Sequence, residues 1–156
     1  MKSRFARQSG YTFIELMVVM IILGILGALA FPAYTSMTRR AYYAEIKKTM
    51  GVVAEEAQIE VVSSGQYPPD VAPGVQPKGI LNWPTEAPLN GLYDYDHWGV
   101  GSGKCYVQVG FLGENQQFDY PVHQINAQPQ NFAEFADDLV LGIALYDCAL
   151  AQGSIQ

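Results

Sequence analysis

The chain has 156 residues, two cysteines and a formal net charge of −6, and from Gly65 onward Lys78 and Lys104 are the only basic side chains against ten carboxylates. That balance argues against a phosphate-binding surface, because nonspecific nucleic-acid affinity comes largely from Lys and Arg displacing counterions. Once a long helical segment is set aside, there is room for one globular head of roughly 90 residues, small enough to benefit from a covalent staple.

Residues 1–10 form a short basic leader containing Lys2, Arg4 and Arg7. The stretch from Gly10 to Pro32, GYTFIELMVVMIILGILGALAFP, follows it and is apolar from Phe13 to Phe31 except for Glu15. Roughly 20 helical residues at 1.5 Å rise cover the ~30 Å hydrocarbon layer, so this segment is predicted to be a membrane helix. A lone carboxylate inside it costs on the order of 2.5–3.5 kcal/mol, so Glu15 is expected near the interface or matched by a partner. Gly24 and Ala28 stand four apart with Gly27 beside them, a spacing that lets helices approach closely. Pro32 removes a donor and crowds the preceding turn, which predicts a kink or local melting.

The run G-Y-T-F-I-E-L from Gly10 to Leu16, preceded by basic residues and followed by the apolar helix with its proline at Pro32, resembles the type IV pilin superfamily. The resemblance implies that a prepilin peptidase cuts between Gly10 and Tyr11 and that the new amine of Tyr11 is N-methylated. Glu15 would then face the terminal amine of a neighbouring subunit. Two unit charges about 4 Å apart gain roughly 4 kcal/mol at an effective dielectric near 20, enough to offset insertion of one carboxylate. Glu15 also lies one turn from Tyr11, so a contact with its own amine competes. A signal peptide is the other reading, with Ala28-Leu29-Ala30 as its cleavage site, but the apolar run is longer than 7–15 residues and contains Glu15.

The fold implied is α+β: a long N-terminal helix over residues 11–64, with its membrane half at 13–31, packed on an antiparallel sheet head, pilin-like. The function implied is a structural, non-enzymatic subunit of a type IV pilus or pilus-like filament, or a pseudopilin of a type II secretion system. A membrane-tethered binding domain that never polymerises is the rival from a different class. The implied partners are other copies of the chain, the peptidase, an assembly ATPase, a platform membrane protein and the membrane; no nucleic acid is expected for this subunit. Arg39, Arg40, Lys47 and Lys48 follow the membrane helix, so basic residues flank it on both sides and the positive-inside count does not orient it. The leader, the cysteines and the acidic head favour an inner-membrane, single-pass precursor with an exported head, then a surface pilus or a periplasmic pseudopilus.

Beyond Pro32 the pattern turns amphipathic, with Ile46, Met50, Val53, Ala57 and Val61 on one stripe. Tyr42 and Tyr43 read either as contacts between subunits or, more ordinarily, as membrane-interface tyrosines. Ser63-Ser64-Gly65 should end the helix. Residues 65–90 contain Pro68, Pro69, Pro73, Pro77, Pro84 and Pro88, a connecting loop without regular elements, in which Trp83 is expected to plug a sheet edge. In the head, residues 91–156, strands are predicted at 92–98 and 105–112, joined by a loose glycine-rich turn. The second is expected to bury one face, carrying Cys105, Val107, Val109 and Phe111. A central strand is expected over 139–146, after a short helix suggested by Asn131 and Glu134.

In an oxidising compartment Cys105 and Cys148 can pair, a loop closure worth roughly 4 kcal/mol; two buried thiols are the alternative. Asp94 and Asp96 in YDYDHWG alternate and could present oxygens to calcium, which certain secretion relatives bind in their heads. The other reading of the pair is a solvated polar edge. No cofactor is otherwise expected. His123 is read as a surface residue, and no phosphate loop or nucleophile elbow is present.

Overall fold

The computed structural model describes residues 10–148, so the leader with Lys2, Arg4 and Arg7 lies outside the described residues. Helix α1 spans Phe13–Ser64. The chain divides into two compact units, residues 1–41 and 42–156, with α1 running across the division. Pro32 does not interrupt the helix, which contradicts local melting there. Hydroxyls crowd the next turn: Thr35 donates to the Pro32 carbonyl, Ser36 to that of Ala33 and Thr38 to that of Tyr34, at 2.9–3.0 Å. These are side-chain back-bonds to carbonyls three or four residues earlier; the acceptor that Pro32 leaves without an amide donor is the Ala28 carbonyl, one turn before them.

The helix stops where glycine permits it. Gly65 takes φ +80°, and its amide donates to the Val61 carbonyl at 2.8 Å, closing the last turn with a left-handed residue. Inside the head Ile46, Met50, Val53, Ala54 and Ala57 are buried, and Val61 is half-buried at the end of the stripe. Tyr43 also belongs to the head: its hydroxyl donates to the Asp137 carbonyl at 3.2 Å.

The sheet has four antiparallel strands in the order β1-β2-β4-β3, with β1 Leu92–Gly101, β2 Lys104–Leu112, β3 Phe132–Phe135 and β4 Asp138–Asp147. Ser102 and Gly103 alone connect β1 to β2, both at positive φ, a tight primed turn where a loose one was expected. A bulge between Gly99 and Gly101 brings the register to that turn. The helix suggested by Asn131 and Glu134 is instead the edge strand β3, which turns through Ala136 and Asp137 onto β4. Lys47 holds it, bridging to Glu134 at 2.8 Å with its ammonium 5.5 Å from the Phe132 ring centre.

The buried helix residues meet Tyr93, Tyr95, Val107, Val109, Phe111, Leu139, Leu141 and Ile143 in one core. Each aliphatic side chain taken from water there contributes about 1.5–3 kcal/mol. The expectation that β2 buries a single face is wrong. Tyr106, Gln108 and Leu112 on its reverse are also buried, because the segment 113–131 folds over that side and brings Tyr120 and Ala127 onto Leu112 and Val140.

The connecting loop has no helix or strand between Gly65 and Ala87. It runs along the free edge of β1, where Val71 donates to the Tyr95 carbonyl and Gly74 to that of Tyr93 at 2.7 Å. Those bonds cover an edge that would otherwise invite pairing with another sheet. Trp83 stacks edge-on against Tyr93 and is nearly buried, as a plug on that edge. The carboxylate of Glu56 ties the loop back to the helix, accepting from the amides of Leu81 at 2.7 Å and Asn82 at 2.9 Å and from the Asn82 side chain.

Candidate functional site

Three residues prepare the start of α1. The Thr12 hydroxyl accepts from the Glu15 amide at 3.3 Å, while the Glu15 carboxylate accepts from the Thr12 amide and hydroxyl at 2.8 Å. The Leu16 amide closes the first turn on the Thr12 carbonyl at 3.2 Å. This is a reciprocal capping box, and it gives Glu15 a structural task within its own chain. The T-x-x-E spacing of Thr12 and Glu15 is the sequence signal for it. Gly10 and Tyr11 lie ahead of the helix in non-helical backbone and are exposed. An exposed, non-helical Gly10–Tyr11 bond is accessible for cutting, and cleavage there would leave a free amine one residue from the capping threonine.

From Tyr11 to Phe31 no side chain is covered, including Phe13, Ile14, Leu23 and Leu29. A β-carbon placed on Gly24 or Gly27 would meet nothing within 4 Å. α1 is long and apolar enough here to cross a membrane. Exposed apolar surface on this scale requires lipid or other protein.

In the head, Cys105 on β2 and Cys148 just after β4 form a disulfide with Cα atoms 5.2 Å apart, closing a separation of 43 residues. The Lys104–Asp147 ion pair at 2.6 Å sits beside it at the same end of the sheet.

Asp94 and Asp96 are not a solvated edge. They share one sheet face with Gln108, whose side-chain amide donates to Asp96 at 2.8 Å, and Asp94 is only 1 % exposed. Gly110, opposite Asp94, leaves room for the Tyr120 hydroxyl, which a β-carbon there would strike. Burial, then the Asp96 charge, then that of Asp70 push the Asp94 carboxyl up to about 8. Asp96 is raised too, again chiefly by burial. One Asp94 carboxyl oxygen, the Gln108 carbonyl oxygen and the Tyr120 hydroxyl are buried without a protein partner. The pair thus lies on a covered polar face of the sheet, with Asp94 buried and Asp96 half-buried.

A second acidic group is assembled only by the fold. Asp119, Asp137 and Asp138 each bring one carboxylate oxygen within 4.8 Å of the others, an arrangement that could hold a hard cation. Its members are already engaged: Asp138 accepts from the amides of Gly113 and Asp119 at 2.8 Å, and Asp137 from that of Glu114 at 2.9 Å. Burial outweighs those donors and raises the Asp138 carboxyl above the usual range. Asp137 and Asp138 are adjacent, and Asp119 reaches them only because the 113–119 turn folds against the β3–β4 hairpin.

On the opposite side of β1, His97 is held between loop and sheet. Its Nδ1 donates to the Pro68 carbonyl at 2.8 Å, since a carbonyl only accepts, and Nε2 lies 2.7 Å from the Tyr146 hydroxyl. Asp70 accepts from the His97 amide at 3.1 Å, and Tyr67 packs on Tyr146. These contacts seat the loop against the sheet and leave both ring nitrogens occupied. His123 is exposed, with its ring edge-on to Trp98.

A long helix with an uncovered apolar N-terminal stretch, and an antiparallel sheet packed on its later half, define a pilin-like α+β subunit. The prokaryotic N-terminal methylation motif family matches residues 5–31, so the chain carries the signature shared by type IV pilins and pseudopilins. That signature marks a structural class of protein, one that is processed by a peptidase and assembles into filaments. No curated protein and no solved structure matches the chain.

Proposed function

We propose that this chain is a structural subunit of a type IV pilus or pilus-like filament, made as a membrane-inserted precursor with an exported head. It is cut between Gly10 and Tyr11, methylated on the Tyr11 amine, and polymerised through α1. A peptidase, an assembly ATPase and a platform membrane protein are the partners this requires. The observation that carries the reading is the uncovered apolar run from Tyr11 to Phe31 within the matched motif. A head that forms its own core has no use for that surface, whereas a bilayer followed by a filament interior does. Mass spectrometry of the mature N-terminus tests it: the expected chain begins at Tyr11 with one added methyl group. A chain beginning at Met1 or at Phe31 overturns it.

Glu15 has two roles to separate. Glutamine also completes a capping box, so Glu15→Gln preserves the helix start and removes only the charge. If Glu15 meets a neighbouring amine, Glu15→Gln and Glu15→Ala both lose filaments while the precursor stays in the membrane. Normal assembly by Glu15→Gln would limit Glu15 to capping. Deletion separates the two settings of the function: loss of a surface filament indicates a pilus, and blocked protein export with filaments intact indicates a secretion pseudopilus.

A further inference from the structure

Where α1 ends, the helix, the connecting loop and β1 border a cleft of about 570 Å³, within the size range of small-molecule sites. Its lining joins an aromatic ring to polar groups of both kinds: Tyr67 stands with Glu60 and Asp70 as acceptors, Lys78 as a donor and Gln66 as both. The walls are held by contacts of their own. His97 donates from Nδ1 to the Pro68 carbonyl at 2.8 Å, and its amide donates to Asp70 Oδ1 at 3.1 Å, which leaves the other Asp70 oxygen open. Glu60 lies against Gly79, next to Lys78, and Tyr67 is half-buried on Tyr146. Among the described residues Lys78 has no ion-pair partner, and the Gln66 side-chain amide and the Tyr67 hydroxyl make no hydrogen bond. The cleft therefore offers free donors and free acceptors on a fixed frame.

Charge narrows the ligand. Two carboxylates stand against one ammonium, and α1 presents its carbonyl end here, the negative end of a helix, with no basic residue in its last turn. An anion is disfavoured by that field. A simple cation would satisfy Glu60 and Asp70 but would be opposed by Lys78. A sugar ring answers the whole set, because each hydroxyl both donates and accepts and can meet carboxylate, amide and ammonium in turn. Its C–H surface would meanwhile cover the Tyr67 ring and the adjoining prolines. We propose that this cleft binds a neutral saccharide unit, with Glu60, Gln66, Asp70 and Lys78 holding its hydroxyls and Tyr67 lying against its ring. The inference is independent of the filament reading, since every residue it uses belongs to the 42–156 unit.

The test uses the full-length chain, solubilised in a detergent without a sugar headgroup, with maltotriose and the trimer of N-acetylglucosamine as neutral probes. Saturation-transfer NMR is expected to show ring protons of a neutral trimer receiving magnetisation from the protein, and titration is expected to saturate. Trigalacturonate, which is anionic, should show no transfer. Asp70→Asn keeps an acceptor for the His97 amide while removing the charge, and Lys78 is exposed and touches no core. Asp70→Asn and Lys78→Ala should each weaken binding roughly tenfold and leave the thermal midpoint unchanged. If neither neutral trimer binds, the inference is overturned. Binding that survives both substitutions lies elsewhere on the chain and overturns it too, as does a cleft that takes spermidine and no sugar. A chain that makes no filament would sink the functional reading and leave this result standing, so the two fail separately.

Discussion

Two stretches of one helix carry similar aliphatic side chains and meet opposite fates. Met17, Met20, Ile22 and Leu23 are all about half exposed or more, whereas Ile46, Met50 and Val53 are fully buried. Hydrophobicity does not separate them; periodicity does. The first stretch is apolar on every side, so no single sheet could cover it, and it is suited to surroundings that are apolar all round. The second is apolar on one stripe and finds one partner, the face of β1, β2 and β4 that carries Tyr95, Val107 and Leu141. The stability of the head is therefore internal, while the apolar free energy of residues 13–31 is available to lipid or to other subunits.

The contrast is broken most severely by removing what the head supplies for itself. Replacing Cys105 and Cys148 by serine removes a crosslink over 43 residues. By the chain-entropy relation this should cost the head about 4 kcal/mol and should lower its thermal midpoint in detergent-solubilised protein. A midpoint unchanged by reduction would mean the crosslink constrains nothing. Next, Met50→Ala should cost about 3 kcal/mol by leaving a cavity beneath the sheet. Met20→Ala should leave head unfolding unchanged, since Met20 contacts no core. Equal losses at the two positions would contradict the division between an internally packed region and one whose packing lies outside the chain.

How much of this the sequence discloses follows the same division. The membrane stretch, the buried stripe and the helix stop at Ser64–Gly65 are readable because each is a local period or a local breaker. Strands β1, β2 and β4 are readable from alternating or continuous apolar runs. β3 is not, because Phe132-Ala133-Glu134-Phe135 is too short to establish alternation, and Asn131 with Glu134 mimics a helix start. The second buried face of β2 is hidden for a different reason. Tyr106, Gln108 and Gly110 read as a solvated face until Tyr120 and Ala127 arrive from a loop with no periodicity of its own. That arrival is also what buries Asp94 and Asp96, and it brings Asp119 to Asp137 and Asp138. In each case the missing information is long-range closure of a loop, which no local pattern encodes.

The buried aspartates give the head a pH dependence that a solvated pair would lack. Asp94 holds its proton up to about pH 8 in the folded chain and gives it up near 3.8 once unfolded. Between those values the folded state binds the extra proton, so stability falls as pH rises from about 4 to about 8 and then levels off. The slope from this group is at most about 1.4 kcal/mol per pH unit. Asp94→Asn keeps the shape without the titration and should flatten the decline by about 1 kcal/mol per unit, read from denaturant midpoints at pH 5 and pH 8. A variant as pH-dependent as the wild type would place the proton elsewhere.

The smallest effect concerns the loop that covers the β1 edge. Burial acts to raise the Glu56 carboxyl, but the donors on Asn82 and Leu81 outweigh it and hold it below the usual range. The sign is therefore opposite to that of Asp94: this contribution is complete above the ordinary carboxylate range and is lost as pH falls through the lowered value. Glu56 is close to solvent, so screening limits the contribution to under about 1 kcal/mol. Glu56→Ala should leave global unfolding almost unchanged. Its effect should be local, because Leu81 and Asn82 lose their anchor while Val71 and Gly74 keep theirs on β1. Faster hydrogen exchange at the amides of Leu81 and Asn82, with Gly74 unaffected, is the expected result. If Gly74 accelerates equally, the loop opens as one piece and Glu56 secures the whole cover of the edge strand.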